Sequence, residues 1–255
     1  MRSTDIEMEF GVPIPGRILP QEQWAKTALK RLPETGPLDW EAIFGRKAPV
    51  ILDLGCGNGR FTLGSALARP EFNHFAIDAL PVVIRYATRR GNQRGLSNVR
   101  LAVKDAETFV ARYVGDSSVA EAHLYHPQPY HQSRRAGRRV YTPRFLADVH
   151  RALEPGGLFV VQTDNPDYWK YMVRVTPCFF DFEEHPDPWP DSPQGRTRRE
   201  IIARQRGLKI YRGVGRRRDD ITPSAALELA ASLPGPIFKT HGPWRELDRL
   251  ETESP

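Results

Sequence analysis

The sequence predicts an α/β domain built on a doubly wound, mostly parallel sheet. Three observations carry that reading. Strand and helix signals alternate from Pro49 onward, the pattern of a parallel sheet with helices on both faces. The strand Val50-Ile51-Leu52-Asp53-Leu54 runs straight into a glycine-rich turn, Gly55-Cys56-Gly57-Asn58-Gly59. Successive strands end at or near an acid: Asp53, Asp78, Asp105 and Asp164. In such sheets ligands bind beyond the carboxyl ends of the strands.

In chain order, Val50–Leu54 reads as a buried strand and Arg60–Ala68 as a helix stopped by Pro70. His74–Asp78 is the second strand. Pro81–Arg90 is a helix, with proline allowed in its first turn. Val99–Asp105 is the third strand and Glu107–Tyr113 a short helix. Val119–Tyr125 is the fourth strand. Thr142–Leu153 is a helix closed by Glu154-Pro155-Gly156-Gly157, and Leu158–Thr163 is the fifth strand. Residues 1–46 form a proline-rich N-terminal extension, in which Gln21–Leu32 is expected to be helical and to end near Pro33. Residues 47–215 form the core domain, with insertions. After Thr176 the chain is expected to be irregular to Gln194, followed by a basic helix, Arg196–Arg206, and a strand, Leu208–Gly213. Residues 216–255 form a C-terminal helix, Ala225–Leu233, and a tail expected to be loosely held from Pro243.

Composition narrows the class. The chain has 255 residues, a formal net charge of +6 and two cysteines, Cys56 and Cys178. Two cysteines give neither a disulfide framework nor zinc spacing, and the seven scattered histidines suggest no metal site. No apolar run reaches the roughly 18 residues of a membrane span, and Met1–Phe10 does not read as a secretory signal. The expectation is a cytoplasmic protein, monomer or homodimer. Arginines cluster at 134, 135, 138, 139 and 144, at 196, 198, 199, 204 and 206, and at 212 and 216–218. Clusters of this kind are the footprint of a polyanion, or else a solvated face.

The turn spacing is G-x-G-x-G, with an acid two residues before the first glycine. It is not the G-x-G-x-x-G of pyrophosphate-binding turns. It suits a cofactor with an amino-acid end and no phosphates, and it resembles the first motif of the Rossmann-like class I methyltransferases, which use S-adenosylmethionine. On that resemblance Asp53, Gly55 and Gly57 would meet the methionine part. Asp78 would accept both ribose hydroxyls, while Asp105 and the Ala106 N–H would face adenine. For each acid taken alone, a helix cap is the alternative.

The run Leu124-Tyr125-His126-Pro127-Gln128-Pro129-Tyr130, continued by the basic residues to Val140, is similar to the Phe-Pro-Asp-Pro-Trp motif and following basic run of the tRNA (guanine(46)-N(7))-methyltransferase family. Gln162-Thr163-Asp164 looks like the family's Thr-Asp, and Gly195-Arg196-Thr197-Arg198-Arg199-Glu200 stands in place of its Thr-x-Phe/Tyr-Glu. Arg17–Pro20 and Pro37–Trp40 are also similar. The likeness spans about residues 15–215 and implies methylation of guanine N7 in the variable loop of tRNA. It places Gln128 at the family's aspartate, and Gln132, Asp164, Thr197, Arg198, Arg199 and Glu200 on the substrate. Asp164 and Glu200 would accept from the guanine edge, with Thr197 fixing the turn, although Thr197–Glu200 also has capping-box spacing. Arg134, Arg135, Arg138 and Arg139 would contact phosphates, and Tyr125, Tyr130 and His131 would stack on an extruded base.

The chain departs from the family at four places. Gln128 replaces an aspartate, Tyr130 a tryptophan, Gln132 a lysine and Arg199 an aromatic. Pro186-Asp187-Pro188-Trp189 repeats the missing motif after the fifth strand and reads as a chance match in a loop. The alternatives are an RNA-binding protein of methyltransferase fold with little activity and a small-molecule methyltransferase; a nicotinamide oxidoreductase fits the glycine spacing least.

Overall fold

The structure is a computed structural model, and it describes residues 6–240 and 243–252. A short hairpin, β1 (Met8–Glu9) and β2 (Val12–Pro13), precedes α1 (Trp40–Phe44). The core then alternates: β3 (Val50–Leu54), α2 (Arg60–Ala68), β4 (Asn73–Asp78), α3 (Pro81–Gln93), β5 (Val99–Val103), α4 (Ala106–Tyr113), β6 (Val119–Tyr125), α5 (Pro143–Ala152) and β7 (Leu153–Thr163). It closes with α6 (Pro166–Val175), β8 (Phe180–Glu184), α7 (Arg198–Gln205), β9 (Tyr211–Arg217), α8 (Pro223–Ser232) and α9 (Trp244–Thr252).

One seven-stranded sheet has the order β5-β4-β3-β6-β7-β9-β8. The strands are parallel through β7, while β9 runs antiparallel to both neighbours. The mostly parallel sheet is therefore present as expected. Strand order reverses between β3 and β6, which opens a crevice at their carboxyl ends. All five residues of β3 are buried, so this strand carries an apolar run rather than an alternation.

Four stretches differ from expectation. Gln21–Leu32 is not a helix. Only Gln21–Gln23 makes a 3-10 turn, and the chain then runs extended along β5. Leu29 N donates to Leu101 O and Leu101 N to Thr27 O, both at 2.8 Å. Pairing with an open sheet edge outweighs helical propensity there, because it satisfies the edge's own backbone groups. The interval after Thr163 holds α6 and β8, which the pattern did not reveal. The strand expected at Leu208–Gly213 lies at Tyr211–Arg217. The tail from Pro243 is not loose as far as Thr252: α9 packs Leu247, 1% exposed, against Ile202 of α7; residues 253–255 lie outside the described residues.

The β8–β9 pair rests on small residues. Phe182 of β8 lies over Gly213 of β9, and Phe180 over Gly215. A side chain at 213 would enter the Phe182 ring. Gly213→Ala is expected to cost about 1–3 kcal/mol through overpacking, read as a lower urea midpoint; an unchanged midpoint would contradict this packing.

Candidate functional site

The glycine turn follows β3. Gly55, Gly57 and Gly59 have φ of 86°, 52° and 82°, a region open to glycine. Their reasons differ. A Cβ at Gly55 or Gly57 would meet no atom within 4 Å, whereas one at Gly59 would lie 2.8 Å from Ala87 Cβ of α3. The first two glycines keep an open floor; the third lets α2 pack on α3.

Asp53, Asp78 and Asp105 stand at the ends of three adjacent strands. Asp53 is buried and accepts from the Thr62 hydroxyl. Burial pushes its carboxyl up to about 7, against the hydrogen bond from Thr62. Asp78 accepts from Gly57 N at 3.0 Å and Leu80 N at 2.9 Å, and burial raises it too. It ties the glycine turn to the start of α3. Asp105 caps α4 by accepting from Thr108 N at 2.8 Å. The backbone N–H of Ala106 opens that helix.

A second cluster lies at the ends of β6 and β7, and its hydrogen-bonding roles are fixed by elimination. The Trp189 indole N–H can only donate, and it donates to Gln162 Oε1 at 2.7 Å. The Gln162 NH2 therefore faces Glu200 Oε2 at 3.0 Å and His126 Nε2 at 2.9 Å. His126 Nε2 then accepts, and its Nδ1–H donates to Asp164 Oδ1 at 2.8 Å. Asp164 also accepts from Arg199 Nε at 3.1 Å. Burial alone would raise the Asp164 carboxyl, but the His126 hydrogen bond and the Arg199 charge outweigh it and hold it at about 2.

Several expected substrate residues are turned inward. Glu200 is 0% exposed. It accepts from Gln162, from Arg196 N at 2.9 Å and from Arg212 Nη2 at 2.5 Å, so its carboxylate has partners from three segments. Thr197 Oγ1 accepts from Glu200 N at 3.1 Å and caps α7, the capping alternative for this spacing. Asp164 is likewise buried, with a partner on each oxygen. Arg199 bridges Asp164 and Asp248, the latter at 2.7 Å. Arg198 lies over the Phe10 ring and reaches Glu9 at 3.4 Å. Arg139 is the clearest correction to the phosphate reading. It is 2% exposed and donates to the carbonyls of Pro129, Tyr130, Pro236 and Phe238 at 2.5–3.1 Å. Tyr125 is buried, hydrogen-bonded to His123 and Arg196, so its ring is not open to a base. Arg134, Arg135 and Arg138 are exposed on a 3-10 turn, Ser133–Arg138.

Trp189 is not incidental. Its segment is a loop, as expected, yet the indole is buried against Phe61, Tyr125 and Val160, under the Arg196 guanidinium. It stands at the carboxyl end of the sheet, one side chain away from His126.

A cavity of about 250 Å³ is lined by Gln128, Tyr130, His131, Gln132, Arg135 and Asp248. Five of the six come from the run after β6, and Asp248 is the member that sequence reasoning missed. Its signal was legible in Trp244–Thr252, where Leu247 and Leu250 recur at helical spacing among charged residues. A larger groove of about 410 Å³, between α3 and residues 24–30, contains none of the expected site residues. Among the described residues no group of three His, Cys, Asp or Glu is placed to hold a metal ion, and no helix is long and apolar enough to cross a membrane.

The sheet order, the open glycine turn and the acid at each of three adjacent strand ends define a class I methyltransferase fold. Two solved structures share it. The 16S rRNA methyltransferase KamB aligns with a TM-score of 0.54 at 18% identity, over 75% of this chain and 98% of its own. The 16S rRNA (adenine(1408)-N(1))-methyltransferase of Catenulisporales acidiphilia aligns at 0.50 and 16%, over 72% and 93%. A family model described as "Putative methyltransferase" matches residues 47–212. The tRNA (guanine-N(7)-)-methyltransferase of Alcanivorax borkumensis is 32% identical over 191 residues, 75% of this chain and 79% of that one. That of Alkalilimnicola ehrlichii is 33% identical over 186 residues, 73% and 78%. The chain belongs to the tRNA (guanine-N(7)-)-methyltransferase family.

Acid titration tests the buried cluster. The Asp164 carboxyl falls from its ordinary 3.8 to about 2 on folding. Its stabilisation is therefore full above about pH 4 and is lost as pH falls toward 2. Asp164→Asn is expected to cost up to about 2 kcal/mol at pH 7, with the gap to wild type closing between pH 4 and pH 2 in urea melts. A gap independent of pH would refute the ionic role.

Proposed function

We propose that this chain methylates N7 of a guanine in tRNA with S-adenosylmethionine as donor, the target being position 46 of the variable loop. The observation that carries the reading is topological. The open glycine turn follows β3, the Gln128 cavity follows β6, and these strands are neighbours where the sheet order reverses. A donor on the turn and a base in the cavity would then share one crevice.

The residues present fit the donor. The space above Gly55 and Gly57 is what the methionine end needs, and Asp53 is a buried carboxylate that an ammonium would hold ionised. Asp78 keeps acceptor capacity beside its two backbone donors for the ribose hydroxyls. Asp105 and the Ala106 N–H face the adenine position in this reading. When bound, the donor supplies an electrophilic methyl carbon on a sulfonium.

Guanine N7 has an in-plane lone pair and no proton, so the chain needs no general base. Its tasks are alignment, which supplies several kcal/mol, and tolerance of the positive charge the ring acquires. Gln128, Gln132 and Tyr130 would line the base, and Arg134, Arg135 and Arg138 would take flanking phosphates. Arg139, Arg199, Asp164 and Glu200 support that pocket from behind.

Methyl transfer from labelled S-adenosylmethionine onto tRNA lacking 7-methylguanosine is the direct test. Appearance of labelled 7-methylguanosine is expected. Tight tRNA binding without transfer would instead favour an RNA-binding protein of this fold, the reading that Gln128 motivates. Donor binding offers a second check. Because burial pushes the Asp53 carboxyl up to about 7, ammonium docking at pH 7 is expected to expel part of a proton. Affinity should rise with pH through that value and level off above it. Calorimetric heats should vary with the ionisation enthalpy of the buffer, and Asp53→Asn should remove the dependence; buffer-independent wild-type heats would overturn the assignment of Asp53.

A further inference from the structure

The Gln128 cavity contains a carboxylate from an unexpected place, the C-terminal helix. We propose that Asp248 supplies to this cavity the negative charge that the family carries at the position of Gln128. The inference rests on the reading of the cavity as the guanine site.

Of the six side chains lining the recess, Asp248 alone is acidic and Gln128 is neutral. The Asp248 side chain is 33% exposed, so it is held by the protein and still open to a ligand. Its Oδ1 accepts from Arg199 Nη1 at 2.7 Å, and its Oδ2 lies 3.7 Å from His131 Nε2. Leu247 anchors the helix against Ile202, and Glu246 pairs with Arg206 at 2.7 Å. The carboxylate therefore sits on a docked element, as a preorganised charge must.

Two departures from the family pattern then have one explanation. Gln128 removes a carboxylate from the cavity. Arg199, where the family has an aromatic, provides the guanidinium that seats another. Arg199 is shared between two carboxylates, Asp164 and Asp248, so it does not neutralise both. Arg135 also lines the cavity, but it is exposed and its field is weakened by water and salt. As N7 bonds the methyl carbon, the donor's S–CH3 bond would break with its electron pair kept by sulfur, which would leave as a neutral thioether, so the positive charge would pass to the guanine ring and no proton would move. A fixed carboxylate in the wall favours that change.

The test is a double-mutant cycle on the full chain, read as single-turnover methyl transfer at saturating tRNA and donor. Asp248→Asn is expected to slow transfer at least about tenfold while donor affinity, measured by titration, stays within about twofold. Gln128→Asp is expected to restore most of that rate in the Asp248→Asn background, and to raise the rate far less in the native background. A structural role for Asp248 would not be repaired from position 128. Asp248→Ser, also neutral, takes the place of the amide variant should that variant melt below assay temperature. Transfer at the wild-type rate without Asp248, or a loss that Gln128→Asp leaves in place, would overturn the proposal. Absence of transfer by the wild-type chain would instead reject the guanine N7 reading itself.

Discussion

The buried amide of Gln162 sets the pocket's architecture. It receives a hydrogen bond from Trp189 and gives hydrogen bonds to His126 and Glu200. Its orientation decides the tautomer of His126, and through it how Asp164 is held. Four segments meet on this group: the end of β6, β7, the loop carrying Trp189 and α7. In a low-dielectric interior such a network specifies one arrangement when every member is satisfied, and is costly when one is not. The amide flipped by 180° would set carbonyl oxygen against carboxylate and indole N–H against NH2. The loop after His126, which carries Gln128, therefore begins from a fixed anchor.

The arginines divide into two populations that composition cannot separate. Arg139 and Arg212 lie inside the protein, as does Arg199, and each serves specific carbonyls or carboxylates. Arg134, Arg135 and Arg138 face solvent. Guanidinium is suited to both duties because its planar fork satisfies several acceptors at once. The run at 134–139 joins them: its last member fastens the Gln128 loop to residues 236–238, while the earlier ones remain available to an anion.

The core strands were legible because buried parallel strands are mostly apolar on both faces, and β3 and β6 lie where the pattern put them. The glycine turn was legible for a backbone reason, since three positive φ angles need glycine. What escaped depended on distant partners. The segment at 24–32 is extended because of the open edge of β5, not because of its own residues. Glu200 and Asp164 look like ligand-facing acids in one dimension, and only the fold brings Arg212 and Arg199 to them. Trp189 lay in a recognised motif but in a loop, and its destination is set by an acceptor on β7. Asp248 was hidden because the pattern of Trp244–Thr252 announces a helix but not its destination, and only the packing of α9 on α7 brings this carboxylate to the cavity.

The hairpin at the start of the described chain acts as an electrostatic buckle. Glu9 lies within 3.4–3.9 Å of the guanidinium groups of Arg60, Arg90 and Arg198, and it accepts from Asn58 Nδ2 of the glycine turn at 2.6 Å. Glu7 adds contacts to Arg90 and Arg94. Without this clasp, cations of α2, α3 and α7 would face one another beside the turn, with like charges repelling across a poorly hydrated gap. Trimming the leader is thus a perturbation of the crevice rather than of the sheet, and a shortened chain would still look folded by circular dichroism while its loops drifted apart.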